Sequence, residues 1–160
     1  QGDKDTPPAQ QEAMSIRRAV EAHIKLVLDP YVPNTGNQWP HQVVESLRLE
    51  DRPMPAVIIV AGSASPAFPD LPSSYGNFNI PVTVIVMSSI DETTVDKHSE
   101  LAHQIARILQ NETNRHNSKI QGLRFYDIIA GAVGQENQGR RMVTVLNFDG
   151  IVNYMPETPI

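Results

Sequence analysis

Apolar and β-branched residues run almost unbroken from Val82 to Met87, and a few residues later the period of the pattern changes. Val95, Leu101, Ala102, Ile105, Ile108 and Leu109 recur at three- and four-residue steps, with Asp96, Lys97, Glu100 and Arg107 between them. The first stretch predicts a strand covered on at least one face, the second a helix whose single apolar stripe lies on the sheet. Asp91, Glu92, Thr93 and Thr94 put cap oxygens and negative charge where that helix begins and its first N–H groups lack partners. Nearer the start of the chain, Ile16, Val20, Ile24, Val27 and Leu28 share one helical face, with Arg17, Arg18, Glu21 and Lys25 on the other. A first helix is therefore expected over residues 12–28, stopped by Asp29-Pro30.

Between and after the helices the pattern is that of strands. Val43 to Leu49 alternates with mixed faces, and Ala56-Val-Ile-Ile-Val-Ala61 reads as a second buried strand. Pro33 to Asn37 is turn chemistry, and Trp39-Pro40 belongs to a connection. Gly62 to Asn79 has no regular period. A connection of that length is functional or disordered, and its large side chains Phe68, Leu71, Tyr75 and Phe78 favour a functional role. Asn111 to Ser118 is polar and reads as a surface connection. Leu123 to Ala130 and Arg140 to Phe148 read as strands joined by the glycine-rich Gly131 to Gly139, a hairpin with a long mobile tip. Gly150 is expected to turn or bulge the chain before Ile151, Val152 and Tyr154. The expected organisation is a flexible arm over residues 1–11, one α+β domain over 12–155 and a tail over 156–160. Its sheet is mostly antiparallel, two helices pack on one face, and the long loop and hairpin extend from it.

Composition narrows the classes. A chain of 160 residues fits one domain with a real core. Thirteen Lys and Arg against 18 Asp and Glu give a net charge of −5, which argues against binding nucleic acid through an overall field. No cysteine is present, so thiol nucleophiles, thiolate metal sites and disulfides are excluded. No apolar run reaches the roughly 20 residues that span a bilayer, so a soluble protein is expected.

Candidate chemistry gives way to plainer readings. Gly131 to Gly139 lacks the following Lys and helix of a phosphate cradle. Glu100 and His103, three residues apart, are a possible metal pair. No second helix offers a partner, and His98 and His103, five apart, fall on different faces, so solvated or cap-proximal side chains are expected. Asp91 and Glu92 are explained by the helix start, and the serines of Gly62-Ser-Ala-Ser65 lack a nucleophile elbow. Arg124, Arg140 and Arg141 suggest a basic patch on the last hairpin, a pattern that more often pairs with acidic or subunit neighbours. No catalytic residue, metal or cofactor is assigned.

The arrangement does resemble a known family. The N-terminal amphipathic helix, Pro55-Ala-Val-Ile-Ile-Val, Ile80-Pro-Val-Thr-Val-Ile-Val, His98-Ser-Glu-Leu-Ala-His-Gln-Ile-Ala-Arg-Ile-Leu and Arg140-Arg-Met-Val-Thr-Val-Leu-Asn-Phe-Asp-Gly-Ile-Val are similar to tail terminator and tail completion proteins of tailed bacteriophages. The likeness is one of pattern over residues 12–155. It implies a non-enzymatic virion protein, found in the virion tail or neck and in the host cytoplasm during assembly. Such a protein forms a hexameric ring at the head-proximal end of the tail, ends tail-tube growth and joins the tail to the head connector. Implied partners are further copies of the chain, the tail tube protein and a connector or neck protein. DNA passes through the lumen without specific binding, and no membrane is involved. Phe68, Leu71, Tyr75, Phe78, Arg140 and Arg141 are the expected interface residues. The alternatives are a neck or head completion protein of the same region, or, in a different class, a small α+β enzyme or ligand-binding domain. The latter would use Glu100, His103 and the loop after Val60 as its pocket.

Overall fold

The structure, a computed structural model, describes residues 15–37, 53–67, 76–113 and 120–156. Helix α1 (Ile16–Leu28) starts where the Ser15 side chain accepts the N–H of Arg18, four residues later than the apolar pattern suggests. Helix α2 (Val95–Gln110) has the Thr94 hydroxyl as its cap, accepting from the N–H of Lys97. Both helices lie on one face of a six-stranded sheet, as expected of this α+β chain.

The strands are β1 (Thr35–Asn37), β2 (Ala56–Ala61), β3 (Ser65–Pro66), β4 (Asn77–Ser89), β5 (Leu123–Gln138) and β6 (Arg141–Tyr154). The sheet runs β1-β2-β4-β6-β5, with β3 paired to β4 beyond the end of β2. Among the described strands only the β1–β2 pair is parallel. The sheet is open, and among the described residues β5 is the last strand on its side.

Alternate residues of the strands divide the apolar surface between two faces. Val57, Ile59, Ile80, Val82, Val84, Val86, Leu146, Phe148 and Val152 meet Val20, Ile24 and Leu28 of α1 and Ala102, Ile105 and Leu109 of α2. A smaller cluster of Ala56, Ile58, Met87 and Val143 occupies one end of the opposite face. That division explains the unbroken apolar run of β2, which has buried residues on both sides.

Three expectations need correction. Pro33 to Asn37 is not simply a turn: Thr35 to Asn37 pairs in parallel with Val57 to Ile59. Gly131 to Gly139 is not a long mobile tip. The long β6 provides a ladder that keeps β5 extended to Gln138, and only Gly139 and Arg140 turn the chain. Gly139 takes φ +61°, the left-handed conformation a two-residue hairpin turn needs. The tip is also anchored, because Ile90 N–H donates to the Arg140 carbonyl at 2.8 Å. Nor does Gly150 turn or bulge β6. It lies mid-strand, where an added Cβ would come 3.2 Å from the Phe125 ring and 3.4 Å from Ile80. The expected strand over 43–49 lies outside the described residues, as do the proposed arm and most of the proposed tail.

Candidate functional site

A strand at the end of a sheet presents unpaired peptide groups that accept a further strand unless something covers them. Two places along the rims of this sheet are covered by side chains. Beyond Ile59, where β1 ends, the helix α1 takes over the role of a strand at Ala61. Arg17 Nε donates to the Ala61 carbonyl at 3.1 Å, and the Ala61 N–H donates to Glu21 Oε2 at 3.0 Å. Arg17 and Glu21 stand four apart on one helical face, which lets both reach the same peptide unit. On the other side, Gln110 Nε2 donates to the Ile128 carbonyl at 3.4 Å, and the Ile128 N–H is taken by Asp127 Oδ1 at 2.9 Å.

Past Ile128 the edge of β5 is exposed among the described residues. Residues 129–137 are exposed, including Ile129 and Val133, the latter 60% exposed. A register shift between Ala130 and Val133 separates this stretch into two short runs. The shift is fixed by Asn147, whose Nδ2 donates to the Ala132 carbonyl at 3.1 Å while its Oδ1 accepts from the Thr83 hydroxyl at 3.2 Å.

Beside the open run lies a cleft of about 280 Å³, walled by Val95, His98 and Ser99 of α2, Gln135 to Asn137 of β5 and Met142 to Thr144 of β6. His98, only 4% exposed, forms one wall. Its Nδ1 lies 2.8 Å from Ser88 Oγ and its Nε2 2.8 Å from Thr144 Oγ1, so one ring nitrogen donates and the other accepts from a hydroxyl. Burial lowers the His98 pKa and favours the neutral ring. With both nitrogens engaged, His98 ties α2 to the sheet and is not poised as a base. His98, read as solvated or cap-proximal, and Glu21, read on the polar face of its helix, are both buried. Their spacing carries the signal: His98 is four residues before Ala102 and seven before Ile105, and Glu21 is three before Ile24 and seven before Leu28.

Glu21 is fully buried, and its Oε1 has no hydrogen-bond partner among the described residues. Burial raises its pKa against the opposing pull of the Ala61 N–H, Arg17 and Arg18. Asp29 moves the other way: burial works against its charge, but the Thr35 hydroxyl and Lys25 outweigh it and lower the pKa. Lys25 Nζ donates to Asp29 at 2.9 Å.

The expected interface residues scatter. Phe68, Leu71 and Tyr75 lie outside the described residues, and Phe78 is half-buried in β4, packed against the main core. Arg140 is exposed and paired with Asp91, its Nε donating at 2.8 Å; the pair lowers the Asp91 pKa. Arg141 is half-buried in β6 opposite Gln138. Arg124, opposite Asn153, stands at the other end of β5, about 45 Å away at ~3.3 Å per residue, so the three arginines form no patch. Glu100 and His103 are exposed on α2 and do not line the cleft, and no metal-binding group of His, Asp and Glu occurs among the described residues. No described helix is long and apolar enough to cross a membrane. No protein-family profile matches the sequence, and no curated protein matches it at a significant level.

Proposed function

We propose that this protein is a non-enzymatic structural subunit of a bacteriophage virion that assembles as a closed ring, hexameric in the first instance, at the head-proximal end of the tail. There it ends growth of the tail tube and joins the tail to the head connector. The observation that supports an assembly role is the exposure, among the described residues, of the β5 edge from Ile129 to Gln135, set against side-chain cover at Ala61 and Ile128. An uncovered edge invites another chain, and a fold that covers its rims elsewhere leaves this one for pairing. The two rims of an open sheet differ, as they must in a ring where each copy offers one surface to the next and rotation closes the array. The acidic balance of −5 suits a lumen through which DNA slides without being held.

Mass measurement and electron microscopy of the purified protein test the reading. A closed ring that caps isolated tail tubes is expected, and Val133→Asp is expected to give folded monomers. A protein that stays monomeric at every concentration and does not bind tail tubes refutes it.

A further inference from the structure

The register of the sheet fixes the height at which its two rims would meet. Thr35 of β1 pairs with Val57, Val57 with Val86, Val86 with Thr144, and Thr144 with Gln135 of β5, so one row crosses all five strands. The next row, Ala56, Met87, Val143 and Glu136, lies one residue nearer the β5–β6 turn. These rows hold the cleft beside α2 at the β5 rim. At the opposite rim this row opens β1 at Thr35, and the chain leading into it, where Tyr31 is 58% exposed, comes from the side of the β5–β6 turn; Leu26, also exposed, lies on α1.

Strand direction agrees with such a meeting. β1, β2 and β6 run one way and β4 and β5 the other, so a rotation about an axis along the strands sets β1 of one copy antiparallel to β5 of the next. The surfaces also match in chemistry. Val95, 67% exposed, and Met142 give the cleft an apolar wall and floor, while Gln135 and Asn137 put amides at its rim. A tyrosine fits that division, with an apolar ring to bury and a hydroxyl that needs a polar partner.

We infer that Tyr31 of one copy, flanked by Leu26, inserts into the cleft between α2 and β5 of the next copy, and that this head-to-tail contact joins neighbouring subunits. The inference rests on the ring reading and names its contact. An aromatic anchor in a dry pocket at the centre of an interface carries much of the affinity, so Tyr31→Ala should weaken association about thirtyfold or more without unfolding the subunit.

Because the chain has no cysteine, thiol cross-linking tests the contact directly. Tyr31→Cys and Val95→Cys proteins are prepared separately, mixed and treated with a short thiol–thiol cross-linker. Circular dichroism checks the fold, and native mass the assembly state. Cross-linked pairs are expected only in the mixture, and the double variant should give a ladder that stops at the closed ring. Pairs formed by Tyr31→Cys alone would show a two-fold contact and overturn the inference. A full-size ring without cross-links overturns the Tyr31 contact and leaves the ring reading standing, whereas a parent protein with Tyr31 intact that stays monomeric overturns both.

Discussion

Removing one hydroxyl from the His98 network is expected to cost more than its size implies. In Thr144→Val the shape is kept, but His98 Nε2 loses its partner at 2.8 Å. Thr144 is 1% exposed and His98 4%, so water has little access to replace the lost bond. A buried polar group left unpaired costs about 1–3 kcal/mol, and for a domain near this length each kcal/mol lowers Tm by roughly 2–4 °C. A fall of about 2–12 °C is expected, read by thermal and urea unfolding with the slope of the urea transition unchanged. Ser88→Ala removes the partner of the other ring nitrogen, and a double-mutant cycle should show coupling between the two positions through the ring they share. The ring also sets a pH dependence. Its folded pKa lies below the ordinary 6.5, so the unfolded chain takes up the proton first as the medium is acidified. The contribution of neutral His98 is therefore complete above pH 6.5 and is lost as pH falls below that value towards the folded pKa. The stability difference between the parent and His98→Asn should narrow over that window. Thr144→Val within 0.5 kcal/mol of the parent, with a difference between parent and His98→Asn that ignores pH, would refute the reasoning.

Glu21→Gln should behave with the opposite sign. The raised folded pKa of Glu21 means its contribution is fully present below pH 4.5 and declines as pH rises, so the variant should flatten that slope in urea titrations at successive pH values. Gly150→Ala places a methyl 3.2 Å from Phe125 and should destabilise by about 1–3 kcal/mol in calorimetry. Gly139→Val, a branched side chain at φ +61°, should cost about 1–2 kcal/mol and raise hydrogen exchange at the β5–β6 turn before elsewhere. Gln110→Ala uncovers the Ile128 carbonyl and should increase concentration-dependent association seen by light scattering, with little change in Tm.

What sequence pattern reveals here follows the strength of the local signal. The helix over Val95 to Gln110 and the strand within Asn77 to Ser89 are legible because the apolar period and the caps act within a few residues. The extended run from Gly131 to Gln138 is not, since glycine and amide side chains favour loops and only the distant β6 ladder holds them straight. β1 is hidden for the same reason: three residues of turn composition become a strand by lying beside β2. Among the described residues the large exposed apolar side chains include Tyr31, Val95 and Val133, positions that no apolar period marks as bare. Exposure depends on which faces the fold leaves bare, and periodicity alone does not report it. The side-chain cover at Ala61 and Ile128 likewise depends on contacts 40 and 18 residues apart in the chain.

β6 lies between β4 and β5, although it is the last of the described strands to be synthesised. Until it leaves the ribosome, one whole flank of β4 stays bare and β5 lacks the strand it pairs with. The nascent subunit therefore holds an incomplete sheet for most of its synthesis and completes it in a late step that joins distant segments. Shortening the chain from the C-terminal side into β6 would take out the middle of the sheet and should abolish folding altogether, where loss of a peripheral strand would only trim it.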